Sequence, residues 1–151
     1  MMQSNQRDVE GQIRAMVDRE TLAWDTRDAD LLVSLFHPDM VWPWPPTASS
    51  HDPIDWVAGM GRFDAGRWQA VWQSLFDTHR LVHNRREIKR VEVTPEGNGG
   101  FAVVDIDTLW ERLGDGALNR WQGRACKVYT LVRKEWKLIM HTGVLDYPPA
   151  G

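Results

Sequence analysis

Cysteine is nearly absent from this chain. Cys126 is the single one among 151 residues, so neither an internal disulfide nor a zinc site built on cysteines can form. A reducing compartment suits such a chain. The opening, MMQSNQRDVEG, holds no apolar run of the secretory kind, and the expectation is a cytoplasmic protein. No apolar stretch approaches the roughly 18 residues that a membrane span needs. An excess of basic charge is missing too. Lys plus Arg number 18 against 21 Asp plus Glu, a net charge of −3, which argues against a nucleic-acid binder driven by bulk charge. There is no internal repeat, low-complexity tract or linker, and no HExxH, P-loop, GxGxxG or GxSxG signature. What remains is an ordinary globular composition, 42% hydrophobic and 26% charged. The length suits a single domain, 1–151, around one core.

Two aromatic types are scarce, with two Tyr and four Phe, but Trp occurs nine times. An indole supplies a large buried area and one ring N–H donor. A small domain this rich in Trp either lines a pocket with indoles or uses them as core.

The first half of the chain reads as helical. Val9, Ile13, Met16, Val17 and Trp24 recur at three- and four-residue steps and form one stripe, which predicts a helix over 6–26. Asp28 has the form of an N-cap for a short helix over 29–36, with Leu31, Leu32, Leu35 and Phe36 apolar. His37-Pro38 stops it. A short strand is expected over 40–44, ended by Pro43, Pro45 and Pro46. Asp52-Pro53 reads as a cap followed by Pro at the first helical position. Asp64 opens a better helix, in which Trp68, Val71, Trp72, Leu75 and Phe76 share a face.

From His79 onward the period changes. Strands are expected over 80–93, 100–112, 119–133 and 136–146, separated by PEGNGG, by LGDGA and by Lys134-Glu135. The first two are good hairpin connections; the third lacks Gly. Consecutive hairpins imply an antiparallel meander with the helices on one face, an α+β arrangement.

Several residues break these patterns. Glu20 falls near the centre of the first helix's apolar stripe, between Val17 and Trp24. A carboxylate there needs a partner, a proton or water. It either reaches solvent at the stripe's end or points into a cavity, where a raised pKa would suit a general acid or base. Lys127 interrupts an apolar strand. Alternation places it with Ala125, Tyr129 and Leu131, opposite Cys126, Val128, Thr130 and Val132. It is either a solvent-facing sheet lysine or an anion anchor. His141, sharing a face with Ile139 and Gly143, is either structural or a proton shuttle. Asp105 and Asp107 share a face, turned to water or, as paired carboxylates, to a pocket. His79 and His83 would lie roughly 13 Å apart on a strand, so no metal site is expected, and no cofactor. Arg85, Arg86, Lys89 and Arg90 read as a solvated strand face.

Two segments carry a resemblance. AWDTRDADLLVSLFHPDMVW (23–42) and GRACKVYTLVRKEWKLIMHTG (123–143) resemble the opening and the last hairpin of the nuclear transport factor 2-like superfamily. That superfamily includes ketosteroid isomerases, SnoaL-like polyketide cyclases, scytalone dehydratase and the association domain of calmodulin-dependent kinase. The resemblance covers nearly the whole chain. It implies a cone-shaped α+β fold, its helices packed in a strongly curved antiparallel sheet around a pocket. It also implies a dimer through the convex face.

The resemblance puts Glu20 where the isomerases carry an oxyanion-hole tyrosine and Lys127 where they carry the second donor. It turns His141 toward the pocket and sets Trp42 and Trp44 at its mouth. Trp44 stands where the isomerases have their catalytic aspartate, so that base is absent. The function expected is binding of a small organic molecule in the cone, with proton-transfer chemistry such as isomerisation, dehydration or cyclisation. Glu20 and His141 would be catalytic; Lys127, Tyr129, Trp42, Trp44, Trp110 and Asp107 would bind. Glu20 and Lys127 are expected to flank a ligand or water, with the Glu20 pKa raised. The rival reading is a non-catalytic association module with a vestigial pocket, and a peptide-binding adaptor is a third. The expected partners are a small-molecule ligand and a second copy, with neither nucleic acid nor membrane.

Overall fold

The computed structural model describes residues 2–47 and 49–146. Helix α1 spans Met2–Asp25 and buries the expected stripe, Val9, Ile13, Met16, Val17 and Trp24. It ends where Arg27 adopts a left-handed φ of 54°. There the Arg27 N–H donates to the Trp24 carbonyl and the Asp28 N–H to the Ala23 carbonyl, so two free helix-end carbonyls are satisfied. Asp28 then caps α2, Ala29–Ser34, its carboxylate accepting the Leu31 N–H at 3.0 Å.

Strand β1 is Phe36–Val41, earlier than the 40–44 expected. Phe36 pairs in parallel with Leu138, and β1 is an edge strand, where the missing N–H of Pro38 costs nothing. After β1, Asp52 caps only a short 3-10 turn, Pro53–Asp55. Helix α3, Ala65–Thr78, starts at its Asp64 cap and buries Trp68, Trp72 and Phe76.

The meander follows as β2 His79–Val93, β3 Gly99–Arg112, β4 Leu118–Val132 and β5 Glu135–His141. Sheet order is β1-β5-β4-β3-β2. The meander is antiparallel as expected, and the parallel β1 makes the whole sheet mixed. The β4–β5 turn closes without glycine because Arg133 and Lys134 both take positive φ, 50° and 70°. This is the backbone shape that matches the twist of a tight hairpin.

Alternation sets the two faces. Ala102, Val104, Ile106, Thr108 and Trp110 of β3 are buried inside, as are Ala125, Lys127 and Tyr129 of β4. With the helix stripes they form one core. Helix α1 lies so close to β3 that a side chain at Gly100 would meet Ile13 Cδ1 at 2.7 Å. Bulges in β2, between Leu81 and His83 and between Ile88 and Arg90, add bend. A third bulge, in the β4–β5 pairing, changes a parity. Leu138 faces Tyr129 and His141 faces Lys127, so both point inward, whereas simple alternation had set them on opposite faces. Beyond His141 the chain runs on as a strap held by a bridge between Arg124 and Leu145. No described helix is long and apolar enough to cross a membrane.

Candidate functional site

Glu20 and Lys127 meet at the centre of the cone. Glu20 is 2% exposed and Lys127 is wholly buried. Lys127 Nζ donates to both carboxylate oxygens at 2.7 Å. Trp24, one helical turn after Glu20, donates its ring N–H to Oε2 at 2.9 Å, and Arg86 Nη1 donates to the same oxygen at 3.3 Å. The expected separation of Glu20 and Lys127 is thereby corrected: they touch. The charge logic follows. Burial alone would push the Glu20 carboxyl up, but Lys127 and Arg86 outweigh it and hold the pKa at about 2. A raised Glu20 pKa is thus overturned. Burial lowers Lys127 to about 8, with Arg86 adding to the shift and Glu20 opposing it. One acid between two bases gains from both, while the bases share it.

Arg86 corrects the reading of 85–90 as a solvated face. Its side chain is 4% exposed. Arg86 pairs with Ile106 and Ile88 with Val104, both inward residues, and the bulge after Ile88 displaces the pattern before Arg90. Arg86 also lies over the Trp24 ring, 5.4 Å from its centroid. Its Nε donates to Asn84 Oδ1 at 2.9 Å.

His141 stacks on Trp42, with centroids 4.3 Å apart and planes 22° apart. Burial, reinforced by Lys127, keeps its pKa well below the usual value, so the ring is neutral. Nδ1 accepts the Gly143 N–H at 3.0 Å, which leaves the ring proton on Nε2. Gly143 is required here. Its φ is 73°, and a Cβ would sit 2.7 Å from Pro45 Cδ. Burial likewise pushes the Tyr129 hydroxyl well above its usual value, and Tyr129 Oη has no hydrogen-bond partner among the described residues.

Above the charges lies a chamber of about 20 Å³, lined by Glu20, Trp24, Trp42, Trp72, Arg86 and His141 among others. It has room for one water-sized group. An open cleft of about 370 Å³ adjoins it, lined by Trp44, Pro45, Pro46, Arg120, Trp121 and Val144. Trp44, Trp121 and Val144 line both spaces. Glu20, His141 and Trp42 thus line the chamber, with Trp44 at its mouth, whereas Lys127 and Tyr129 are buried in the cone but line neither space. Trp110 is core, packed on Phe76 and Trp121, and lines neither space.

Asp107 does not join the site. It stands on the outer sheet face, 3.0 Å from Arg120 and 3.1 Å from His83, and the Arg120 hydrogen bond holds its pKa low. Asp105 pairs outside with Arg124 at 2.7 Å. Among the described residues no three His, Cys, Asp or Glu side chains are grouped to hold a metal. Arg86, Trp24, Trp72 and Trp121 are the site residues that sequence reading passed over. For Arg86 a signal existed, since Ile88 two residues on marks the inward face.

No family model matches the chain, and no curated protein matches it in sequence. Solved structures do match. A ketosteroid isomerase-like protein from Erwinia carotovora atroseptica aligns over 92% of this chain and 97% of its own at 15% identity, with a TM-score of 0.67. A nuclear transport factor 2-like superfamily protein from Salmonella enterica aligns over 95% of both chains at 15% identity, TM-score 0.67. A candidate calcium/calmodulin-dependent kinase II association domain from Exiguobacterium sibiricum covers 92% of this chain and 93% of its own at 12% identity, TM-score 0.59. The helices inside a five-stranded curved sheet, with a charged cluster at their centre, thus have the fold of the nuclear transport factor 2-like proteins.

Proposed function

We propose that the chain binds a small aromatic or amphipathic organic molecule in the cleft at the cone's mouth, its polar end turned toward the chamber. The observation that carries this is the buried cluster of Glu20, Lys127, Arg86 and His141 beneath an indole-lined opening. Burying such charges costs more than well-packed apolar side chains of the same volume would. Trp44 and Trp121 offer flat apolar walls to a ring. Of the two groups expected to move protons, Glu20 is ionised with both oxygens engaged, which suits charge placement. His141 is neutral and lines the chamber, and any proton transfer in an isomerisation, dehydration or cyclisation passes through its ring.

A thermal-shift screen with aromatic ketones, phenols and carboxylates tests this, because a ligand of the native state raises stability by mass action. The expected result is a saturable rise in Tm with at least one class. Trp121→Ala should abolish the rise and keep the fold. The absence of any shift at millimolar ligand would defeat the reading.

A second reading, an association module, is favoured by the sheet's outer face. Phe101, Val103, Cys126, Val128 and Met140 are neighbours by register there and are only half-buried. An apolar strip of this kind suits a second copy of the chain.

A further inference from the structure

We propose that the chamber binds one small monovalent anion of halide size. Two buried indole N–H groups, those of Trp42 and Trp72, have no partner among the described residues, and both residues line the chamber. Their ring centroids lie 5.5 Å apart. Trp68 and Trp110 also carry buried N–H groups without a partner among the described residues, but of the four indoles only Trp42 and Trp72 line a space that could hold an occupant. His141, also in the lining, carries its proton on Nε2, because Nδ1 already accepts the Gly143 N–H. Arg86 adds a guanidinium.

The groups available to an occupant are therefore donors. The Glu20 carboxylate in the lining accepts from Lys127, Trp24 and Arg86, three of the four bonds falling on Oε2. Charge points the same way, since two buried cations face one buried carboxylate. Asp25 also lies in the field of Arg86, but it is exposed and holds Asn84 at 2.9 Å.

A water molecule would satisfy the orphan N–H groups but would leave the extra positive charge unmatched. An anion accepts only, and it supplies the charge. Size narrows the choice. About 20 Å³ holds one water-sized group, which admits chloride or bromide and excludes acetate and sulfate.

The test is chloride-35 NMR line broadening by the intact protein at constant ionic strength, with bromide, acetate and sulfate as competitors. The expected result is saturable broadening that bromide reverses and that acetate and sulfate do not. Trp72→Phe keeps the ring and removes the N–H, and should weaken binding tenfold or more. Trp68→Phe removes another orphan N–H that lies outside the chamber lining, and should change nothing. Far-UV circular dichroism checks both folds. No saturable broadening, displacement by sulfate as effective as by bromide, or equal loss in both variants would each overturn the proposal. The sulfate competition needs no variant, so the test survives if Trp72→Phe fails to fold. Halide binding in a protein that answers no organic ligand would separate this site from the ligand reading above.

Discussion

Glu20 is the carboxylate on which two buried cations depend, and removing its charge leaves both uncompensated. Glu20→Gln should therefore destabilise by about 3–5 kcal/mol at neutral pH, measured by urea unfolding. The pH dependence follows from the same contact. The folded pKa of about 2 lies below the unfolded 4.5, so the native state gives up this proton more readily. The stabilisation is fully present above pH 4.5 and is lost as pH falls toward 2, by about 3 kcal/mol in all. The difference in stability between wild type and Glu20→Gln should shrink across that window; a constant difference from pH 6 to 3 would mean that Glu20 is solvated. Glu20 was legible in the sequence because a helix repeats every 3.6 residues and a charge on the apolar face stands out. Its partner Arg86 was not singled out, because 85–90 is crowded with similar cations, and the bulge between Ile88 and Arg90 puts Arg90 out of the step that Arg86 and Ile88 share.

At the scale of elements, local chemistry was readable and remote pairing was not. Asp28 and Asp64 announced their helices as caps, since capping needs only residues three positions apart. Strand β1 depends on a parallel partner about a hundred residues away in sequence, and nothing within Phe36–Val41 encodes that. The parity of His141 likewise rests on a bulge in the pairing of β4 with β5. The β4–β5 turn is the local exception, legible as a turn but not in its shape, and expected at Lys134-Glu135, one residue past its place at Arg133-Lys134. Both residues occupy positive φ, where L side chains are strained by roughly 1–2 kcal/mol each. Replacing them with Asn-Gly should stabilise the protein by about 1 kcal/mol. A Tm unchanged or lowered in the double variant would mean that the turn has another shape.

For the whole molecule the open matter is how many copies assemble. The apolar strip on the outer face favours a pair of chains. Sedimentation at micromolar concentration should then give twice 17.4 kDa. Val128→Asp should give the monomer with little change in Tm, since Val128 lies outside the core. A clean wild-type monomer would remove the association reading. The fold class was legible because strand and helix periods are properties of the whole chain, whereas the site was legible only where it interrupted them. One consequence of the central cluster reaches beyond this chain. Glu20, Arg86 and Lys127 sit on α1, β2 and β4, so three distant stretches of sequence are bound by one charge balance. Neutral drift at any of the three is blocked until another has changed, and evolution must cross the gap in paired steps. A homologue that has lost the acid at position 20 is accordingly expected to have surrendered at least one of the two cations as well.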